Sequence, residues 1–427
     1  MIFLFLLYDI LFLLGVLCYL PLYFFRRRVN FAALKGKCTL YPRTLTSPSF
    51  HKGSIWVHAV SVGEVTLLKS IIKKLTTYTP YEVIISTTTM TGQRVAEKLY
   101  PHLRTIYFPF DITLLVRRAI KKFNPKIVVL VETELWPNFF YQLKRKNIPI
   151  IILNGRISRG AYQRYKKIKF FTTRILQHLD FVGVQNEQYR SRYVSLGLPE
   201  EKIDITGNLK FTSFDVQPDE LLKFKSKYVR LIEKGRELLL IAASTHYPEE
   251  EIFLEVYKNL MPRFPSLRLL IAPRHIERVS ALKKLVTSYG FSSLPISSYA
   301  QARPQSKDVF ILDTVGELLF FYSLADICFV GGSLIDYGGH NILEPLFFSK
   351  PTFFGPYMDN FSDIEKKVLA KKAALKVQRR EDLQFVLEAL LKDNNLRKEL
   401  SSNAAKVFDE EKENLEENFK IIMQCLK

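Results

Sequence analysis

The chain of 427 residues is 48% hydrophobic and 24% charged, which excludes a disordered or low-complexity protein and exceeds what one hydrophobic core usually serves. Four scattered cysteines and seven dispersed histidines, with no paired short spacing and no HExxH grouping, argue against a disulfide framework and against a bound transition metal. The formal net charge of +20 sits wholly in residues 1–210, with 32 Lys and Arg against 12 Asp and Glu, while residues 211–427 balance at 30 against 30.

Residues 1–25 are almost wholly apolar, interrupted by Asp9 alone, and run into Arg26, Arg27 and Arg28. A helix of this length crosses the ~30 Å hydrocarbon core of a bilayer. The cations follow the apolar stretch, the reverse of a cleaved signal peptide, so the segment is expected to remain as a signal-anchor. The positive-inside rule then places everything after Arg28 on the cytoplasmic side. The basic first half suits a polyanion, and the apolar leader favours an anionic, phosphorylated membrane lipid over nucleic acid, for which no binding motif is present.

From Ser54 onward short β-rich runs alternate with helical patterns, as in βαβ units and parallel sheets. Strands are expected at 54–60, 82–88, 105–110, 126–132, 149–155 and 181–186, then, after a lysine-rich connection at 212–236, at 237–244, 267–273, 308–313, 327–332 and 351–355. The predicted fold is α/β: a transmembrane anchor (1–25), a first Rossmann-like domain (26–211), the connection, a second Rossmann-like domain (237–405) and a C-terminal helix (406–427) whose last part is expected to pack back on the first domain. Two doubly wound units in tandem, with a cleft between them, are the expectation. Residues 292–307 are assigned to nothing.

Ligands of open α/β sheets sit outside the carboxyl ends of the strands, so the loops there carry the candidate chemistry. Ser61-Val62-Gly63-Glu64 follows the first strand; Glu64 complements a helix dipole and also offers a carboxylate as general base to an acceptor hydroxyl. Glu132-Thr133-Glu134 follows the fourth strand. Its two carboxylates, spaced i and i+2, are expected to divide their roles, one facing the cleft and one supporting the loop. Gly207-Asn208-Leu209-Lys210 closes the domain with a cation suited to a leaving phosphate or an anionic sugar.

In the second domain His246 and His275 each follow a strand. Arg274, just after Pro273, presents a fork suited to phosphate, while His275 either caps a helix or meets a ligand. Gly316, between Val315 and Glu317, lets backbone amides approach a ligand. Gly331-Gly332-Ser333 and Gly338-Gly339-His340-Asn341-Ile342-Leu343-Glu344-Pro345 are the densest signal, read as exposed amides forming an anion pocket with Glu344 accepting ribose hydroxyls. The competing reading is a helix cap made by Asn341 with Glu344.

Taken together SVGE, ETELWPN, GNLKF, APRH, VGEL and GGHNILEP, in this order and spread over nearly the whole chain, resemble the Kdo (3-deoxy-D-manno-octulosonic acid) transferases. The resemblance implies a glycosyltransferase of the glycosyltransferase-B (GT-B) architecture, with residues 26–211 as the acceptor domain and 237–405 as the nucleotide-sugar domain, in lipopolysaccharide biosynthesis at the cytoplasmic face of the inner membrane. It would move one Kdo or more from CMP-Kdo to the lipid A precursor, inverting the anomeric carbon without metal or cofactor. It implies Glu64 as catalytic base, Glu134 and Lys210 as transition-state support, and Pro273, Arg274, Val315, Gly316, Glu317, Asn341, Ile342, Leu343 and Glu344 as nucleotide contacts. Two other readings remain: a UDP-sugar transferase acting on a membrane lipid, and a membrane-tethered binding protein without catalysis. Oligomeric state is not legible.

Overall fold

The computed structural model describes residues 8–16, 18, 31–41, 52–214, 216–228, 237–301 and 308–426. Most of the apolar leader, with Arg26 to Arg28, lies outside the described residues. Among the described residues no helix is long and apolar enough to cross a membrane. Two compact units are present, Met1–Asp215 with Glu411–Lys427, and Val216–Glu410.

The first unit is built on seven parallel strands: β1 (Ser54–His58), β2 (Glu82–Thr87), β3 (Arg104–Tyr107), β4 (Pro125–Val131), β5 (Ile150–Gly155), β6 (Phe181–Val184) and β7 (Ile203–Ile205), in the spatial order β3-β2-β1-β4-β5-β6-β7. Alternation with period two explains the continuous apolar runs, because both faces are covered. Trp56, Ile84, Val128, Leu130 and Ile152 pack on one face, while Ile55, Val57, Ile85, Val129 and Ile151 pack on the other. Leu415 and Ile422, from the long terminal helix Asn394–Cys425, join the second of these cores.

The second unit repeats the plan with β8 (Leu238–Thr245), β9 (Leu267–Pro273), β10 (Ser292–Pro295), β11 (Asp308–Ile311), β12 (Ile327–Val330), β13 (Thr352–Phe354) and β14 (Leu375–Lys376), ordered β10-β11-β9-β8-β12-β13-β14. Leu240, Ala242, Leu269, Ile271 and Phe329 face one core, and Leu239, Ile241, Leu270 and Phe310 the other. Within the stretch 212–236 the structure contains the helix Pro218–Lys227, whose Phe224 stacks on Phe320 at 5.4 Å between ring centroids.

Eleven strands stand where the sequence predicts them, and three do not. β7, β10 and β14 were unread, and β10 lies within 292–307, the stretch the sequence left unassigned; all three are outermost or short strands with polar or half-exposed residues. In the first sheet the strand order reverses between β1 and β4, and in the second between β8 and β12, with β11 additionally inserted between β9 and β10. A crevice opens outside the carboxyl ends of strands at such a reversal.

Candidate active site

The first reversal lies between the two acidic loops of the sequence. The loop after β1 leads into the helix Val62–Leu67, and Glu64 sits in its first turn. Its Oε2 accepts the Val60 N–H at 2.8 Å and its Oε1 accepts the Ser61 hydroxyl at 2.9 Å. These bonds aim the carboxylate back over the strand end instead of leaving it as a free helix-dipole partner, and each oxygen keeps a further lone pair. Burial raises the Glu64 pKa above the ordinary carboxylate value and the charge of Glu132 adds to it, against the opposing pull of the two hydrogen bonds.

Across the reversal, β4 ends at Val131 and Glu132 takes a left-handed backbone, φ 60°. On an extended strand residues i and i+2 would share one face; the left-handed backbone at Glu132 ends that alternation, so regular strand geometry does not govern where Glu132 and Glu134 point. The Glu134 pKa is pushed up to about 7, first by burial and then by the charges of Glu64 and Glu132. Three carboxylates therefore share one electrostatic neighbourhood. Thr133 fastens the loop, donating its hydroxyl to the Arg156 carbonyl at 2.7 Å. Tyr165, on the basic helix Arg159–Lys167, feels the charge of Glu134.

Lys210 lies on the short turn Leu209–Thr212, whose carbonyl at Thr212 accepts the Ser70 hydroxyl and whose Leu209 shares a core with Val65. The turn is held from below by Asn154, which accepts the Leu209 N–H at 3.1 Å, and by Glu411, which accepts the Asn208 N–H at 3.1 Å. Gly207 has φ 77°, and a Cβ there would run into Asn414 and Glu411, so glycine is required.

At the second reversal the glycine loop differs from the sequence expectation. The N–H groups of Gly332, Ser333 and Leu334 are bound at 2.7, 3.1 and 3.0 Å by Glu249, a fully buried carboxylate that also accepts the His246 N–H at 3.0 Å. The nest of amides after β12 is thus filled from inside the protein and is not an open anion pocket. A Cβ at Gly331 would strike the carbonyls of Ala243 and Ser244, which accounts for that glycine by close approach of β8.

Glu249 instead organises what stands above it. His246 and His340 meet Nε2 to Nε2 at 2.8 Å, their rings stacked at 13°, so one proton lies between two nitrogens. Burial first, and then neighbouring cationic groups, lower both pKa values, that of His340 to about 4. Arg274 follows β9 with an exposed side chain that acts electrostatically on both histidines and on Glu344. This His–His pair is absent from the sequence reading, since nothing local links residues 94 apart; only their positions after β8 and inside GGHN hinted at it.

The remaining nucleotide-contact candidates divide. Asn341 donates to Glu344 at 3.1 Å and accepts the Leu343 N–H at 3.2 Å, while the N-cap position of the helix Leu343–Phe347 is Ile342, which offers no side-chain cap. The side chains of Ile342 and Leu343 are buried. Pro273 ends β9 half-buried. Val315 is 85% exposed and Gly316, φ 88°, faces open space, whereas the Glu317 carboxylate is engaged by Lys227 and Tyr228 at 3.3 Å. Among the described residues no group of three or more His, Cys, Asp or Glu is arranged to hold a metal ion.

Residues 26–213 match the family model of 3-deoxy-D-manno-octulosonic-acid transferase (kdotransferase). A 3-deoxy-D-manno-octulosonic acid transferase of Haemophilus influenzae is 35% identical over 359 residues, covering 83% of each chain. A bifunctional glycosyltransferase/methyltransferase of Fusobacterium nucleatum is 37% identical over 352 residues, which is 82% of this chain and 54% of that protein, so the chain spans about half of its length. The solved structure of a Rickettsia africae glycosyltransferase superposes with a TM-score of 0.54 at 16% identity, over 88% of this chain and 99% of that one, a likeness of fold.

Proposed function

The chain belongs to the 3-deoxy-D-manno-octulosonic acid (Kdo) transferases and is a glycosyltransferase, and on that premise we propose its reaction: transfer of Kdo from CMP-Kdo to the phosphorylated lipid A precursor, with inversion, by a GT-B enzyme. The observation that carries it is Glu64, a carboxylate of raised pKa at a strand reversal, held by its own loop beside two further carboxylates. An acceptor hydroxyl attacks the anomeric carbon, Glu64 takes the hydroxyl proton, and the bond to phosphate breaks with its electron pair leaving on CMP. A raised pKa makes Glu64 a stronger base in the encounter.

Lys210 and Glu134 are proposed to support the transition state, and Arg274 to meet the nucleotide phosphate, for which an exposed guanidinium at a helix-side loop is suited. Pro273, the open loop Val315 to Glu317, and Asn341 to Glu344 are proposed to complete the nucleotide contacts. The place of work is proposed as the cytoplasmic face of the inner membrane, with the N-terminal segment as its anchor. The test is Glu64→Gln, assayed by mass spectrometry of the lipid made from CMP-Kdo and a defined lipid A precursor. A fall of roughly 10²-fold or more is expected for loss of a general base; product at the parent rate would defeat the assignment.

A further inference from the structure

Asp9, the sole charge of the apolar leader, is joined to the first α/β unit. Its Oδ1 accepts the Thr113 N–H at 3.1 Å, capping the helix Thr113–Phe123, and the Asn138 side-chain amide at 2.6 Å. That helix has no side-chain cap of its own, so the leader supplies one. Asn138 is in turn held by Asp111, which accepts its backbone N–H at 3.0 Å and that of Phe139 at 2.8 Å and is fully buried. Phe12 meets Phe110 edge-on at 6.3 Å, one helical turn from Asp9.

Residues 8–16 are helical, and the outward face is apolar: Ile10, Leu11, Leu13 and Leu14 are 55, 59, 43 and 52% exposed. Leu114, 56% exposed, follows Thr113, whose N–H Asp9 accepts, with Arg117 and Arg118 exposed on the same helix and Lys35 exposed on the helix Phe31–Lys37. A contiguous apolar face of this kind marks an interaction surface, and the flanking cations favour anionic headgroups.

The geometry conflicts with a span running from residue 1 to 25. At 1.5 Å per residue, position 9 would lie ~12 Å inside such a span, within hydrocarbon. An aspartate there cannot cap a helix of a domain that stays in water. We infer that residues 8–16 lie in the plane of the membrane, docked on the first unit through Asp9 and Phe12, with Ile10, Leu11, Leu13 and Leu14 inserted into the headgroup and upper acyl region of an anionic leaflet. The inference deepens the proposed membrane location and rests on it; it does not rest on the identity of the transferred sugar.

Position 14 separates the two geometries, since it falls near the midplane of a 1–25 span and at shallow depth in the in-plane arrangement. The full chain carrying Leu14→Trp is bound to phosphatidylethanolamine and phosphatidylglycerol vesicles containing lipids brominated either near the headgroup or near the chain ends, with the parent's Trp56 and Trp136 as background. The expected result is a greater loss of the added fluorescence with bromine near the headgroup. Stronger quenching from the chain ends restores the span, and no quenching from either assigns the face to a second copy or a protein partner; both overturn the inference. In parallel, Asp9→Leu is expected to speed hydrogen exchange at the Thr113 amide of vesicle-bound protein, and an unchanged rate would remove the docking contact. Neither readout requires Kdo transfer, so a failed transfer assay leaves the inference standing.

Discussion

Glu134, proposed to support the transition state, also carries a stability signature. Its folded pKa of about 7 exceeds the ordinary 4.5. An acid raised in this way binds more protons when folded, so its contribution is fully present below pH 4.5 and is lost as pH rises through about 7. Glu134→Gln is therefore expected to raise the thermal midpoint relative to the parent above pH 7 and to leave it unchanged below pH 4.5, as measured by calorimetry across that window. Glu249 makes the opposite case, a buried carboxylate that the loop cannot do without. Glu249→Ala strips an acceptor from the N–H groups of His246, Gly332, Ser333 and Leu334 at once. A loss on the order of 3 kcal/mol in urea unfolding is expected, with a smaller loss for Glu249→Gln, which keeps one acceptor oxygen. A variant as stable as the parent would mean that the loop binds together by other contacts.

Among the elements, the central strands were readable and the edges were not. The centres of β1, β4, β8 and β9 are buried on both faces, so each carries a run of at least three consecutive apolar residues, such as Ile127 to Val131 and Leu238 to Ala243, that announces a parallel sheet. β10 reads Ser-Ser-Leu-Pro and β14 is two half-exposed residues, with too little burial to demand an apolar pattern. The terminal helix is a second such case. Its amphipathic pattern is plain, but the pattern does not name the partner, which is met through Leu415 and Ile422 in the core, through Gly207, where Glu411 and Asn414 occupy the space of a side chain, and through Asn418, which donates to the Thr206 carbonyl at 2.9 Å. Gly207→Ala combines a left-handed backbone with this clash and is expected to cost roughly 1–3 kcal/mol, read from the shift in denaturant midpoint at constant slope. An unshifted midpoint would show that the terminal helix moves aside freely.

On the scale of the molecule, the charge surplus belongs to residues 1–210 and concentrates in stretches such as 135–179, which contains no Asp or Glu. For the proposed reaction the KM for the phosphorylated lipid acceptor should rise with added salt while kcat changes little, because screening weakens encounter more than it disturbs a bound complex. Steady-state kinetics over a salt series test this, and a salt-independent KM would remove the basic surface from acceptor capture. The sequence alone was sufficient for the two parallel α/β units, the family, and the placing of Glu64, Glu134 and Arg274 at strand ends, since periodicity, strand-end glycines and motif order are local properties of the chain. The tertiary structure decided that Glu249 fills the glycine nest, that His246 shares a proton with His340, that Glu132 turns to join its neighbours, and that Asp9 caps Thr113. Each of these joins groups that are remote in sequence or departs from regular backbone geometry, and a linear pattern carries no record of which distant donor and acceptor will be buried together.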